Sequence, residues 1–164
     1  MPLYEIRTGV FASPAVAAEV AGEFRRFLTE RAVPCEQSVV GPDEPTPDAV
    51  MTVAELYEEL PEQWAAEHPG EAPGERRVHE IRTGVLLPSR EDVAGLPEEL
   101  TGLLCPDSQH SGPCAVPWTA GYPTSEEEAE EAEAEEAATG TGGEEPGRPG
   151  RRLGEIYGGL TGAR

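Results

Sequence analysis

Apolar and polar positions alternate along the first residues of the chain. From Leu3 to Phe11, residues Tyr4, Ile6, Thr8 and Val10 fall on one side of an extended backbone and Glu5, Arg7 and Gly9 on the other, the period of two that predicts a strand. The period then changes. Ser13 is a good N-cap and Pro14 suits the first helical position, after which Val16, Val20, Phe24, Phe27 and Leu28 recur at helical spacing and form one apolar stripe. Pro34 requires that helix to have stopped. Cys35 to Val40 reads as a second strand, ended by Gly41-Pro42.

The same unit returns. Residues 4–10, YEIRTGV, recur as HEIRTGV at 79–85, six identities in seven at an offset of 75. Ser13-Pro14 follows the first copy and Pro88-Ser89 the second; Val-Ala-Gly recurs at 20–22 and 93–95; each unit reaches a Pro-Cys pair, at 34–35 and 113–114. The second unit predicts a strand over Val78–Leu87 and a capping box at Ser89 and Asp92. Its helical face of Leu96, Leu100, Leu103 and Leu104 is interrupted by Gly95 and Pro97, and a last strand follows over Ala115–Tyr122. Two βαβ units in one small domain predict an α+β fold of ferredoxin-like βαββαβ type. Between its halves lies a helical insertion beginning at Val53, with Thr52 and Glu55 as capping box and Val53, Leu56, Tyr57, Leu60 and Trp64 along one side. A different α+β sandwich, with residues 49–56 as a strand, is the alternative.

The expected division is a duplicated domain over 1–123 (repeat one 3–41, insertion 42–77, repeat two 78–123), an acidic and Gly/Pro-rich disordered linker over 124–150, and a short C-terminal motif over 151–164. Residues 125–138 hold eight Glu and five Ala beside one Ser; like charges repel, and nothing there can be buried. In the motif, Leu153, Ile156, Tyr157 and Leu160 return to helical spacing and are candidates for partner docking. Removal of the tail is expected to leave the domain's stability almost unchanged.

Charge narrows the function classes. The net charge is −20. Residues 124–164 carry eleven acids against four arginines, and the preceding 123 residues carry 21 against eight, so the domain is acidic in its own right. Neutralising phosphates takes Lys and Arg, which disfavours direct nucleic-acid binding; acidic membrane surfaces repel such a chain too. The chain contains no lysine. No stretch reaches the roughly 20 apolar residues that span a bilayer, and residues 1–5 lack a signal-like pattern, so the expected location is the cytoplasm.

Two groups of residues offer chemistry. The loop from Cys105 to Cys114 also holds His110, and two thiols with an imidazole are zinc-type ligands; the same residues admit a Cys–His nucleophile pair. On the central strands, Glu5, Arg7, Glu80 and Arg82 are expected on an open sheet face, paired across the strands if Ile6 lies opposite Ile81, or else serving as an anion or partner site. No GxSxG elbow, phosphate-binding glycine loop, dinucleotide fingerprint or HExxH occurs, so nothing marks the chain as an enzyme. The leading expectation is a non-enzymatic protein-binding or accessory module with a protein partner and no cofactor. The alternatives are a Cys/His-dependent enzyme or zinc-binding protein using residues 105–114, and an acidic nucleic-acid mimic that occupies a DNA-binding protein.

Overall fold

The computed structural model describes residues 1–47, 50–105, 107, 109, 111–125, 127–128, 131 and 153–162. In chain order the elements are β1 (Leu3–Ala12), α1 (Pro14–Glu30), β2 (Cys35–Val40), α2 (Val53–Leu56), α3 (Glu59–Glu67), β3 (Arg77–Leu86), α4 (Arg90–Ala94), α5 (Leu96–Leu104), β4 (Trp118–Ala120), β5 (Thr124–Ser125), α6 (Leu153–Ile156) and α7 (Gly158–Thr161). The fold is α+β around a mostly antiparallel open sheet of order β2-β3-β1-β4, with β5 also paired to β1. No helix among the described residues is long and apolar enough to cross a membrane.

One face of the sheet carries the main core. Tyr4, Ile6 and Val10 of β1 and Ile81 and Val85 of β3 pack against Phe24 and Leu28 of α1, Val93 of α4 and Leu100 of α5, each contributing about 1.5–3 kcal/mol through burial. α1 begins as its sequence requires: Ser13 Oγ accepts from the Val16 amide at 3.3 Å, with Pro14 at the first turn.

The other face is covered as well, which is why nine of the ten residues of β1 and seven of the ten of β3 are buried. α2 and α3 seat Val53, Tyr57, Leu60 and Trp64 against Phe11 and Val78. α6 and α7 seat Leu153 and Tyr157 against Leu3, with Leu86, Ile156 and Leu160 around them. The sequence predicts a helix from Val53 with Pro61 as the place where it can split, and the break falls at Tyr57, between α2 and α3. Pro61 has no amide to donate to the carbonyl four residues back; that carbonyl belongs to Tyr57, and it accepts from Leu60 instead, at 3.1 Å. The Thr52–Glu55 capping box forms at the start of α2.

β1 and β3 are adjacent and antiparallel, but not in the register that cross-strand charge pairing demands. Ile6 lies opposite Thr83 and Thr8 opposite Ile81, so Arg7 is directly opposite Arg82, Glu5 opposite Gly84, and Gly9 opposite Glu80. The pseudo-twofold axis therefore runs through the two arginines.

His79, opposite Val10 in this ladder, is buried, and its Nε2 has no hydrogen-bond partner among the described residues. Burial holds its pKa below the usual histidine value. The unfolded chain then binds the proton more readily, so this contribution to stability is intact above about pH 6.5 and is lost as pH falls below it. Unfolding free energy measured by denaturant titration should decline as pH falls below about 6.5, and His79→Leu should flatten that slope.

Candidate functional site

Four charged groups on the two central strands face the layer that contains α2, α3, α6 and α7. Glu80 is fully buried and Glu5 is 4% exposed. A buried carboxylate is tolerated only when its oxygens are hydrogen-bonded and its charge is paired, and both conditions are met twice over. Glu80 Oε1 accepts from Arg82 Nε at 2.5 Å, and its Oε2 from the Tyr57 hydroxyl at 2.6 Å. Glu5 Oε1 lies 3.5 Å from Arg7 Nε, and its Oε2 accepts from the Tyr157 hydroxyl at 2.7 Å. Each ion pair thus joins residues i and i+2 of one strand, and each tyrosine arrives from a covering segment.

The glycines of the repeated motif make room for those tyrosines. A Cβ on Gly84 would lie 2.5 Å from Tyr157 ring carbons, and one on Gly9 would run into the Tyr57 ring. Gly9 pairs with Glu80 and Gly84 with Glu5 across the strands. Each ring therefore lies on one strand's glycine and passes its hydroxyl to the carboxylate opposite. The covering segments correspond in sequence too: Val53-Ala-Glu-Leu-Tyr57-Glu-Glu-Leu60 and Leu153-Gly-Glu-Ile-Tyr157-Gly-Gly-Leu160 align at an offset of 100, sharing Glu, Tyr and Leu at equivalent places. Sequence reasoning had singled out both stripes separately; the link between them was missed, although comparing the two stripes would have revealed it.

The open polar face expected from strand alternation is thus a filled layer, because the charged residues find partners within the fold. The arginines differ in how completely they are held. Arg82 Nη2 also donates to the Pro45 carbonyl at 3.0 Å, whereas Glu5 is the only ion-pair partner of Arg7 among the described residues. The Arg7 side chain is 33% exposed, against 14% for Arg82. Arg7 borders a cleft of about 310 Å³ between α2 and the end of β4, lined also by Leu56, Tyr57, Thr119 and Tyr122. Leu56 is exposed at its edge, and Tyr122 is 93% exposed.

In the second candidate group, the Cys105 and Cys114 sulfurs lie 2.7 Å apart. The Cys114 thiol is pushed up to about 11, first by burial and then by its neighbour Cys105, so at neutral pH it is held protonated and is a poor nucleophile. His110 lies outside the described residues. Among the described residues no group of three or more His, Cys, Asp and Glu side chains is placed to hold a metal ion. Cys35 is on β2, opposite Val85 and beside the main core. In comparisons with known proteins, the chain matches no family model and no curated protein.

Burial, reinforced by the charges of Glu80 and Glu5, raises the Tyr57 and Tyr157 hydroxyls far above the ordinary tyrosine value. Their folded pKa values exceed the unfolded ones, so their contribution is complete below about pH 10 and is lost as pH rises above it. With no lysine in the chain, alkaline titration in that range is dominated by phenols and thiols. Absorbance at 295 nm should show Tyr57 and Tyr157 ionising only together with unfolding. Tyr57→Phe and Tyr157→Phe should each cost about 1.5–3 kcal/mol, the worth of a hydrogen bond to a charged group, and should weaken the alkaline dependence.

Proposed function

We propose that this chain is a non-enzymatic protein-binding module, built on a ferredoxin-like βαββαβ arrangement that arose by duplication of a βαβ unit. Its recognition site is the cleft beside Arg7. Support for the architecture comes from the strand order and from the motif shared by β1 and β3. The observation that carries the functional reading is a guanidinium, half-held by one carboxylate at 3.5 Å, that borders a cleft edged by an exposed tyrosine and an exposed leucine. Arginine and tyrosine are the residues that most often dominate binding energy at protein interfaces. A guanidinium with free donors favours a carboxylate, so the partner presents an acidic side chain next to an apolar one.

The rest of the chain's charge fits this role. A net charge of −20 repels acidic partners at long range, so a productive encounter takes a complementary local surface, here supplied by Arg7. The acidic stretch over 124–150 serves solubility, and the protein works in the cytoplasm, where its three cysteines stay reduced.

Panning a displayed random-peptide library against the full chain tests this reading. Enriched peptides should combine Asp or Glu with a neighbouring aromatic or aliphatic residue, and should lose at least tenfold in affinity for Tyr122→Ala. That side chain is 93% exposed, so its removal leaves the fold intact. Failure to enrich any sequence, or equal binding to Tyr122→Ala and to Arg7→Gln, would remove the cleft as a recognition site.

A further inference from the structure

Two of the three thiols meet where α5 ends and the chain turns toward β4. Cys105 caps the C-terminal end of α5, its amide donating to the Thr101 carbonyl at 3.2 Å, and it directly follows Leu104 of the main core. Cys114 stands four residues before β4. That strand has three residues, paired with Thr8, Gly9 and Val10 of β1 and reinforced by the bond from the Phe11 amide to the Pro117 carbonyl at 3.0 Å. The fold brings the two sulfurs into contact at 2.7 Å, with Cys114 Sγ donating to Cys105 Sγ and Cys105 Sγ to the Asp107 carbonyl at 3.6 Å. Cys35 lies on β2, opposite Val85 and beside the main core. Thiols in contact have a chemistry that a single thiol lacks, because each can displace a leaving group from the sulfur of the other.

We propose that Cys105 and Cys114 form a redox-responsive pair, kept as two thiols in the resting protein and closed to an intramolecular disulfide by a low-molecular-weight disulfide such as oxidised glutathione. Closure takes two exchanges. The Cys105 thiolate attacks one sulfur of the oxidant, expelling one small thiolate and leaving Cys105 in a mixed disulfide. The Cys114 sulfur then attacks the Cys105 sulfur, and the second small thiolate leaves. The protein pair is oxidised with loss of two hydrogens; the small disulfide is reduced to two thiols, which take up the two protons. The order follows from the surroundings. Cys114 is pushed up to about 11, by burial first and by Cys105 second, so Cys105 opens the sequence. Once Cys105 is held in the mixed disulfide, the part of that rise that Cys105 imposes is relieved. Transient, redox-sensing bridges are the kind a reducing compartment permits. The bridge closes a loop of ten residues and ties the core-packed end of α5 to the short strand β4, so the oxidised chain is the more stable one. This site is separate from the cleft beside Arg7, and either can fail without the other.

Equilibrating the full chain in buffers of reduced and oxidised glutathione tests the proposal. After an acid quench and alkylation, peptide masses locate each thiol. The expected product is a monomeric chain lighter by two hydrogens, with Cys105 joined to Cys114 and Cys35 outside the bridge, and dithiothreitol should return it to the starting mass. The fold should favour the bridge at least tenfold over the same chain equilibrated in guanidinium chloride. The oxidised chain should melt several degrees above the reduced one. Cys114→Ser should hold glutathione on Cys105, whereas Cys105→Ser should take up little at Cys114. The wild-type measurements decide the matter even where a serine variant fails to fold. Glutathione that stays on Cys105 of the folded wild-type chain without bridging overturns the pair, as does a bridge no more favoured than in guanidinium chloride. A lower melting temperature after oxidation overturns it too. Equal uptake by the two serine variants overturns Cys105 as the attacking thiol.

Discussion

Two glutamates on neighbouring central strands, sealed between layers of helices, set the terms for the rest of this structure. Glu5 and Glu80 have almost no contact with solvent, and an unpaired carboxylate in such a place is untenable at neutral pH. Each therefore needs a cation and a hydrogen-bond donor. The cation comes from the same strand, two residues on; the donor comes from a tyrosine in a covering segment. Two arginines directly opposite each other would be unfavourable by themselves, but each is flanked by the carboxylate it neutralises, and the four charges cancel. Glycine at positions 9 and 84 follows from the same requirement, since any larger residue would occupy the volume of a tyrosine ring. The repeated Glu-Ile-Arg-Thr-Gly-Val is thus one instruction given twice: a carboxylate, its counter-ion, and a seat for the ring that bonds the other strand's carboxylate.

Much of this was legible in the sequence. The strands of the repeat, the start of α1 at Ser13 and Pro14, and the capping box at Thr52 and Glu55 follow from local chemistry. The facing of Ile6 and Ile81 follows from period two. The register did not follow, because two placements of the strands both keep Ile6 and Ile81 on the core side, and cross-strand charge pairing is the more familiar of them. What decides is the pair of tyrosines, whose rings demand glycine opposite glutamate.

The polar face was misjudged for a related reason. Alternating charged residues on a strand ordinarily mean solvent, and only partners distant in sequence show otherwise: Tyr57 is 23 residues from Glu80, and Tyr157 is 152 from Glu5. The acidic stretch before Leu153 also disguised the C-terminal segment as a tail. Its seat on Leu3 and Leu86 makes that segment part of the fold's second core layer. Arg7 is where the symmetry is incomplete. Its counterpart Arg82 is tied down by the Pro45 carbonyl, while Arg7 borders an open cleft.

The central claim is that each tyrosine is energetically bound to the carboxylate of the opposite strand, and to that one only. A double-mutant cycle measured by denaturant unfolding addresses it directly, pairing Glu5→Gln and Glu80→Gln each with Tyr57→Phe and Tyr157→Phe. The account predicts coupling energies of about 1–3 kcal/mol for Glu5 with Tyr157 and for Glu80 with Tyr57, and values within about 0.5 kcal/mol of zero for the two crossed pairs. Additive effects in the first two combinations, or coupling of equal size in all four, would contradict it.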